Sequence, residues 1–176
     1  MDTRATARFR STSRSLWEAN PGWQAARKAV EYALVSYDWG EAFTALNLVL
    51  GPTLDDVLLT QLGEVAKANG DDLTWLLTSF LAADAQRRGR WSHRLAEFAV
   101  TQRAGNRDVL GTWVTRWSAL ADDAAHGLGQ FLESLPDQGR SAGDVAAHAR
   151  EAREGFLASL LDPAGAEAGA GTAGTA

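Results

Sequence analysis

From Pro21 to Leu161 the apolar residues of this chain recur three and four positions apart, and nowhere do they alternate in twos through a β-branched run. A period of 3.6 is what a helix imposes on a buried face, whereas a half-buried strand needs a period of two. The fold class is therefore all-α. Short connections between the periodic segments call for a bundle of about seven or eight helices with antiparallel neighbours.

The segment Tyr37 to Pro52, YDWGEAFTALNLVLGP, carries the pattern most clearly. At 100° per residue, Ala42, Phe43, Leu46, Val49 and Leu50 share a face that, with Trp39, is expected to serve the core. Asp38 stands where an N-cap would, able to accept an orphan backbone N–H. Gly51-Pro52 is a stop signal, because proline has no N–H and disfavours helix one residue earlier. A second stripe of Glu41, Thr44 and Asn47, with Leu48 beside it, is expected to meet another helix, since buried polar groups need specific partners. These four residues and Trp75 form the expected partner interface.

Asn20-Pro21 opens an amphipathic helix with Trp23, Ala26, Val30, Ala33, Leu34 and Tyr37 on one side, proline being favoured at the first helical position. After Gly51-Pro52 another helix is expected, with Asp55 and Asp56 at the positive end of its dipole and Gly70 as a left-handed C-cap. Asp71 caps the next, Leu73 to about Arg88, which is apolar nearly all round and so expected to be buried on several sides. Asp84 falls inside its Leu77/Phe80/Leu81 face. That placement reads as a structural buried charge paired with an arginine rather than as a catalytic group, because a buried carboxylate needs a partner whatever its job. A shorter helix from Trp91 to Arg103, a long one from Asp108 to Glu133 and a last one from Ser141 to Leu161 complete the set.

Residues 1–19 make a basic N-terminal segment, with Arg4, Arg8, Arg10 and Arg14 and no acid between Asp2 and Glu18. It is read as an exposed helix ending near Trp17, in preference to a transit peptide. Residues 20–162 are the helical bundle domain. Residues 163–176 form an Ala/Gly-rich tail with nothing to bury, expected to be disordered.

The chain has no cysteine, which excludes disulfides, thiol nucleophiles and iron–sulfur ligation within it. Its net charge of −5 argues against nucleic acid as a partner, because phosphate neutralisation needs a basic face. No uninterrupted apolar run approaches the roughly 18 residues of a membrane span, so a soluble, cytoplasmic protein without membrane contact is expected. Seven tryptophans exceed what a small core easily hides, and large aromatics are enriched at protein interfaces.

Chemistry is sparse. Di-iron sites in helical bundles use paired Glu-x-x-His motifs, and this chain contains none. The nearest substitutes are Asp123 with His126 and Asp144 with His148. His126 points away from the apolar stripe of its helix, His148 lies on a flank, and His93 lies opposite Trp91, Leu95 and Phe98, so no metal site and no cofactor are expected in this chain. There is no nucleophile elbow, no P-loop and no dinucleotide fingerprint. The residues alone thus lead to an all-α interaction domain, with a free-standing module in which Glu41, Thr44 and Asn47 contact a small ligand as the alternative.

Tyr37–Pro52, followed in order by Leu58-Leu-Thr-Gln-Leu-Gly63, Ala68-Asn-Gly-Asp71, Ala83-Asp84 and Arg90-Trp91, resembles the β (small) subunit of the hydroxylase of bacterial multicomponent soluble di-iron monooxygenases. The branch it is most similar to is the propane, phenol and toluene type, and the resemblance spans about Trp17 to Gly127. It implies a ferritin-like, ribonucleotide-reductase-like helical bundle without metal ligands, packed against an α subunit that carries the di-iron centre and activates O₂. It also implies a possible γ subunit, a reductase and a coupling protein in the wider complex. Glu41-Ala-Phe-Thr44 resembles a Glu-x-x-His pair without its histidine. Family β subunits are longer, and the matching motifs belong to their C-terminal part. A fragment, a misassigned start and a degenerate relative are the readings of that difference.

Overall fold

The computed structural model describes residues 3–103, 105–136 and 139–162, with backbone only for residues 3–9; the expected disorder of the 163–176 tail lies outside the described residues. Among the described residues there are six helices and no strand: α1 (Thr3–Ala19), α2 (Pro21–Leu34), α3 (Trp39–Ala68), α4 (Asp72–Gln102), α5 (Gly105–Glu133) and α6 (Ala142–Leu161). The all-α expectation holds.

Helix starts lie where short polar side chains mark them. Asn20 Oδ1 accepts the Gly22 N–H at 2.9 Å, with Pro21 opening α2. Asp38 takes the Glu41 N–H and Asp71 the Thr74 N–H, each at 3.0 Å. Ser141 and Asp144 form a reciprocal capping box at the head of α6. Gly70, at φ 72°, turns the chain out of α3 in the left-handed region that favours glycine.

Two expected breaks are absent. α4 runs unbroken through Gly89-Arg90, and α3 runs through Gly51-Pro52, so the seven or eight expected helices become six. The passage through the proline depends on a change of winding. Thr44–Leu50 and Asp56–Gln61 are π-helical, and the Gly51 N–H reaches five residues back to the Leu46 carbonyl oxygen. A Cβ at residue 51 would stand 2.6 Å from that oxygen, so the close approach admits only glycine. Pro52 then opens an α-helical turn, where a missing N–H costs least.

The wider π turn also moves the buried face. Thr44, Ala45, Leu48, Val49 and Leu50 are buried, whereas Trp39 is 72 % and Leu46 40 % exposed and Phe43 is half-buried. Phe43 packs against the core as expected, whereas the expected core role of Trp39 and Leu46 is corrected: past residue 43 a uniform 100° step does not hold, because each bond spans one residue more.

α5 lies along both α2 and α6 and against α3, while α4 packs chiefly on the second half of α3. The core divides into one cluster around Leu48, Val49, Val114 and Trp117 and a second around Val57, Leu128 and Val145. α2 and α5 touch backbone to backbone at Gly22 and Gly127, where a Cβ on either would come within 2.9 Å of the other's carbonyl oxygen. By length and composition α3 is apolar enough to cross a membrane. Its inward residues Ala45, Leu48, Val49, Leu50 and Val57 are, however, at most 1 % exposed among the other helices.

Candidate partner-docking face

The expected interface residues of α3 are engaged within this chain. Glu41 Oε1 accepts from Arg116 Nη1 at 2.7 Å and from Trp117 Nε1 at 3.1 Å, locking α3 to α5. Thr44 is buried and its hydroxyl donates to the Gly40 carbonyl at 2.8 Å, and Leu48 has no exposed surface. Glu41, Thr44 and Leu48 therefore meet a helix as expected, but it is this chain's own, which corrects their assignment to a partner. Asn47 is half-buried and bonds the Phe43 carbonyl at 3.3 Å. Trp75 remains 36 % exposed, with Lys67 Nζ 4.9 Å from its ring centroid in cation–π contact.

Among the described residues the outer side of α4 carries a long uncovered apolar stripe. Leu73, Leu77, Phe80, Trp91 and Phe98 follow one another at spacings of 4, 3, 11 and 7 residues and are all more than half exposed, with Leu76 and Leu81 on the flanks. At 100° per residue these five side chains fall within a narrow stripe running most of the 31-residue helix. Asp84 and Arg87 stand in the same stripe as an exposed ion pair. The expected burial of Asp84 is thus corrected. Its pairing with an arginine is present, but the apolar face around it is uncovered in this chain, and sequence alone does not separate a face for the core from a face for a partner.

The stripe continues onto α3. Trp91 meets Phe43 edge-on at a centroid distance of 6.5 Å, and Phe43 stacks on Trp39 at 5.4 Å. Four of the seven tryptophans, Trp17, Trp39, Trp75 and Trp91, lie on the surface. Soluble monomers rarely expose contiguous apolar patches of this kind, and aromatic anchors dominate binding energy at interfaces.

Metal chemistry does not fit the described residues. No group of three or more His, Asp or Glu is placed to hold a metal ion among them. The Glu41 carboxylate is taken by a guanidinium and an indole N–H. His126 is exposed, His93 faces Ser159 at 3.0 Å, and His148 faces Asp56 at 3.0 Å.

A family model described as methane/phenol/alkene hydroxylase matches residues 2–103. The chain belongs to that family. It is 40 % identical over 127 residues to the hydroxylase component subunit beta of the toluene-4-monooxygenase system of Ectopseudomonas mendocina, covering 71 % of this chain and 38 % of the relative. It is 26 % identical over 154 residues to the propane 2-monooxygenase hydroxylase small subunit of Gordonia sp. (strain TY-5), covering 85 % of this chain and 42 % of the relative. A solved structure of toluene 4-monooxygenase with toluene in its resting active site superposes with a TM-score of 0.67 at 40 % identity, over 69 % of this chain and 40 % of that one. The chain spans about two-fifths of the length of these relatives, and its helices take the ferritin-like arrangement that the motif order implies.

Proposed function

We propose that this chain is a non-catalytic scaffold, the β (small) subunit of a soluble, cytoplasmic di-iron monooxygenase hydroxylase, which docks through the outer face of α4 onto the α subunit that bears the iron. The reading rests above all on the uncovered stripe of Leu73, Leu77, Phe80, Trp91 and Phe98. The two named relatives, a hydroxylase subunit beta and a hydroxylase small subunit, support it. In such an assembly the α subunit hydroxylates a small hydrocarbon of the propane, phenol or toluene class with O₂ and electrons from NADH. A reductase delivers those electrons, a coupling protein regulates the step, and a γ subunit completes the hydroxylase. The described residues of this chain gather no ligand set of their own, so its role is to fix the shape of its partner and add buried surface. Co-expression with a large hydroxylase subunit of the same family is expected to give a stoichiometric complex. A chain that elutes alone beside a folded large subunit overturns the reading.

A further inference from the structure

The uncovered stripe of α4 keeps a stricter spacing than a face on a mixed core requires. Leu73, Leu77, Phe80, Asp84, Arg87, Trp91, Arg94 and Phe98 follow one another at alternating intervals of 4 and 3 residues along one unbroken helix. All eight side chains are more than half exposed. The repeat is 3.5 residues, the period of a seam along which two helices lie lengthwise, whereas a helix on a globular core follows 3.6.

The charges in the seam select its partner. If two copies of α4 lie antiparallel about a two-fold axis level with Ala85 and Gln86, Asp84 of each copy faces Arg87 of the other. Outward from that centre Phe80 faces Trp91, Leu77 faces Arg94 and Leu73 faces Phe98, so the seam is complementary to itself, as a two-fold interface must be. A parallel pairing would instead set Asp84 against Asp84 and Arg87 against Arg87. Within one chain the ion pair uses only Asp84 Oδ1 and Arg87 Nη2, and a carboxylate and a guanidinium each have further positions to offer. Arg94 is held by Glu97, and its aliphatic stem is what it presents to Leu77. We infer that, in the absence of a larger partner, α4 pairs with α4 of a second copy of this chain, antiparallel, through two reciprocal Asp84–Arg87 ion pairs flanked by aromatic and leucine layers. The second copy and the proposed large subunit then compete for one face. The pairing stands on the heptad spacing and the order of the charges, not on the scaffold role.

The test is sedimentation equilibrium of the full chain alone. The wild type is expected to show a monomer–dimer equilibrium. Asp84→Arg and Arg87→Asp each oppose like charges at the centre, and each variant alone is expected to dimerise at least about tenfold more weakly. An equimolar mixture of the two restores opposite charges at both central positions and is expected to recover the association. Because the chain has no cysteine, orientation is read from Leu73→Cys and Phe98→Cys: mixed under mild oxidation they are expected to cross-link to each other, and neither to itself. These positions are exposed, and unchanged far-UV circular dichroism checks that each variant is folded. A wild type that stays monomeric up to about 1 mM, single charge variants that dimerise as the wild type does, a mixture that fails to recover, or self-cross-linking of either cysteine variant would each overturn the inference. No large subunit enters these measurements, so the pairing and the scaffold reading fail separately.

Discussion

Glu41 ties the outer and inner parts of the bundle together with one oxygen. Its Oε1 satisfies the indole N–H of Trp117, which is 4 % exposed, and the guanidinium of Arg116 at the surface. Truncating it leaves a buried donor unpaired, so Glu41→Ala is expected to lower unfolding stability by about 1–3 kcal/mol, read from the urea midpoint at unchanged slope. Most of that loss belongs to the indole, because Arg116 is largely exposed and its ion pair is screened by solvent. If the proposed complex with an iron-bearing α subunit forms, it should keep its iron content, since the Glu41 carboxylate is taken by Arg116 and Trp117. Asp144 governs a different window. Hydrogen bonds from the Ser141 hydroxyl and then its N–H hold the carboxyl below its ordinary value, which makes the folded state the weaker proton binder. Stability from this cap is therefore present above about pH 4 and is lost as pH falls through the depressed folded value. Asp144→Asn should flatten that part of an acid titration followed by circular dichroism; an unchanged acid limb would count against the assignment. At this scale the sequence was informative wherever a side chain acts on its own backbone. Asp38 and Asp71 could be placed as caps because capping is local, as could the start at Asn20-Pro21, whereas the cap at Ser141 was not singled out. The partners of Glu41 are 75 and 76 residues away and leave no local mark.

The helices themselves were legible in class and in their outer ends, less so in continuity. Gly51-Pro52 and Gly89-Arg90 carry ordinary stop signals, and propensity is a weak prior that tertiary packing overrides. In α3 the override is visible: the π turn hands the Gly51 N–H to Leu46, and the proline falls at the first turn of the next segment. The same winding displaced the face assignment for Leu46, because no residue-type signal announces where a helix widens. Close helix crossings also escape a reading based on apolar periodicity. Gly22 and Gly127 look like weak points in their helices, yet they let α2 and α5 touch. In Gly127→Ala the new methyl would stand 2.8 Å from the Gly22 carbonyl oxygen, a backbone atom that moves only with its helix. The expected loss is about 1–3 kcal/mol despite alanine's better helix propensity, measured as a lowered thermal midpoint, and a stabilised variant would mean that the helices can separate freely.

For the whole molecule the decisive asymmetry is between α4 and the other long helices. α5 covers α2 and is covered by α6, so its apolar stripe is consumed, whereas α4 packs one side on α3 and leaves the other uncovered. In sequence the two cases look alike, as apolar residues at helical spacing, and only the count of neighbouring helices separates them. The ion pair of Asp84 and Arg87 within the uncovered stripe follows the logic of polar residues in helix–helix seams, which fix register at some cost in stability. Phe80, one turn from that pair and 67 % exposed, is the sharpest probe. Phe80→Glu removes no contact of the isolated bundle's core, so its effect on the chain alone should stay within about 0.5 kcal/mol. In an assembly the same change buries a charge against an apolar partner surface and removes an aromatic anchor, at an expected cost of about 2 kcal/mol or more, some thirtyfold in affinity. The pairing of the two measurements carries the argument: unfolding of the isolated variant reports on the fold, and co-elution with the large subunit reports on the face. A variant that stays folded and still co-elutes in full would move the docking surface off α4, with Trp17 and the exposed Leu34–Tyr37 corner as the next apolar surface to test.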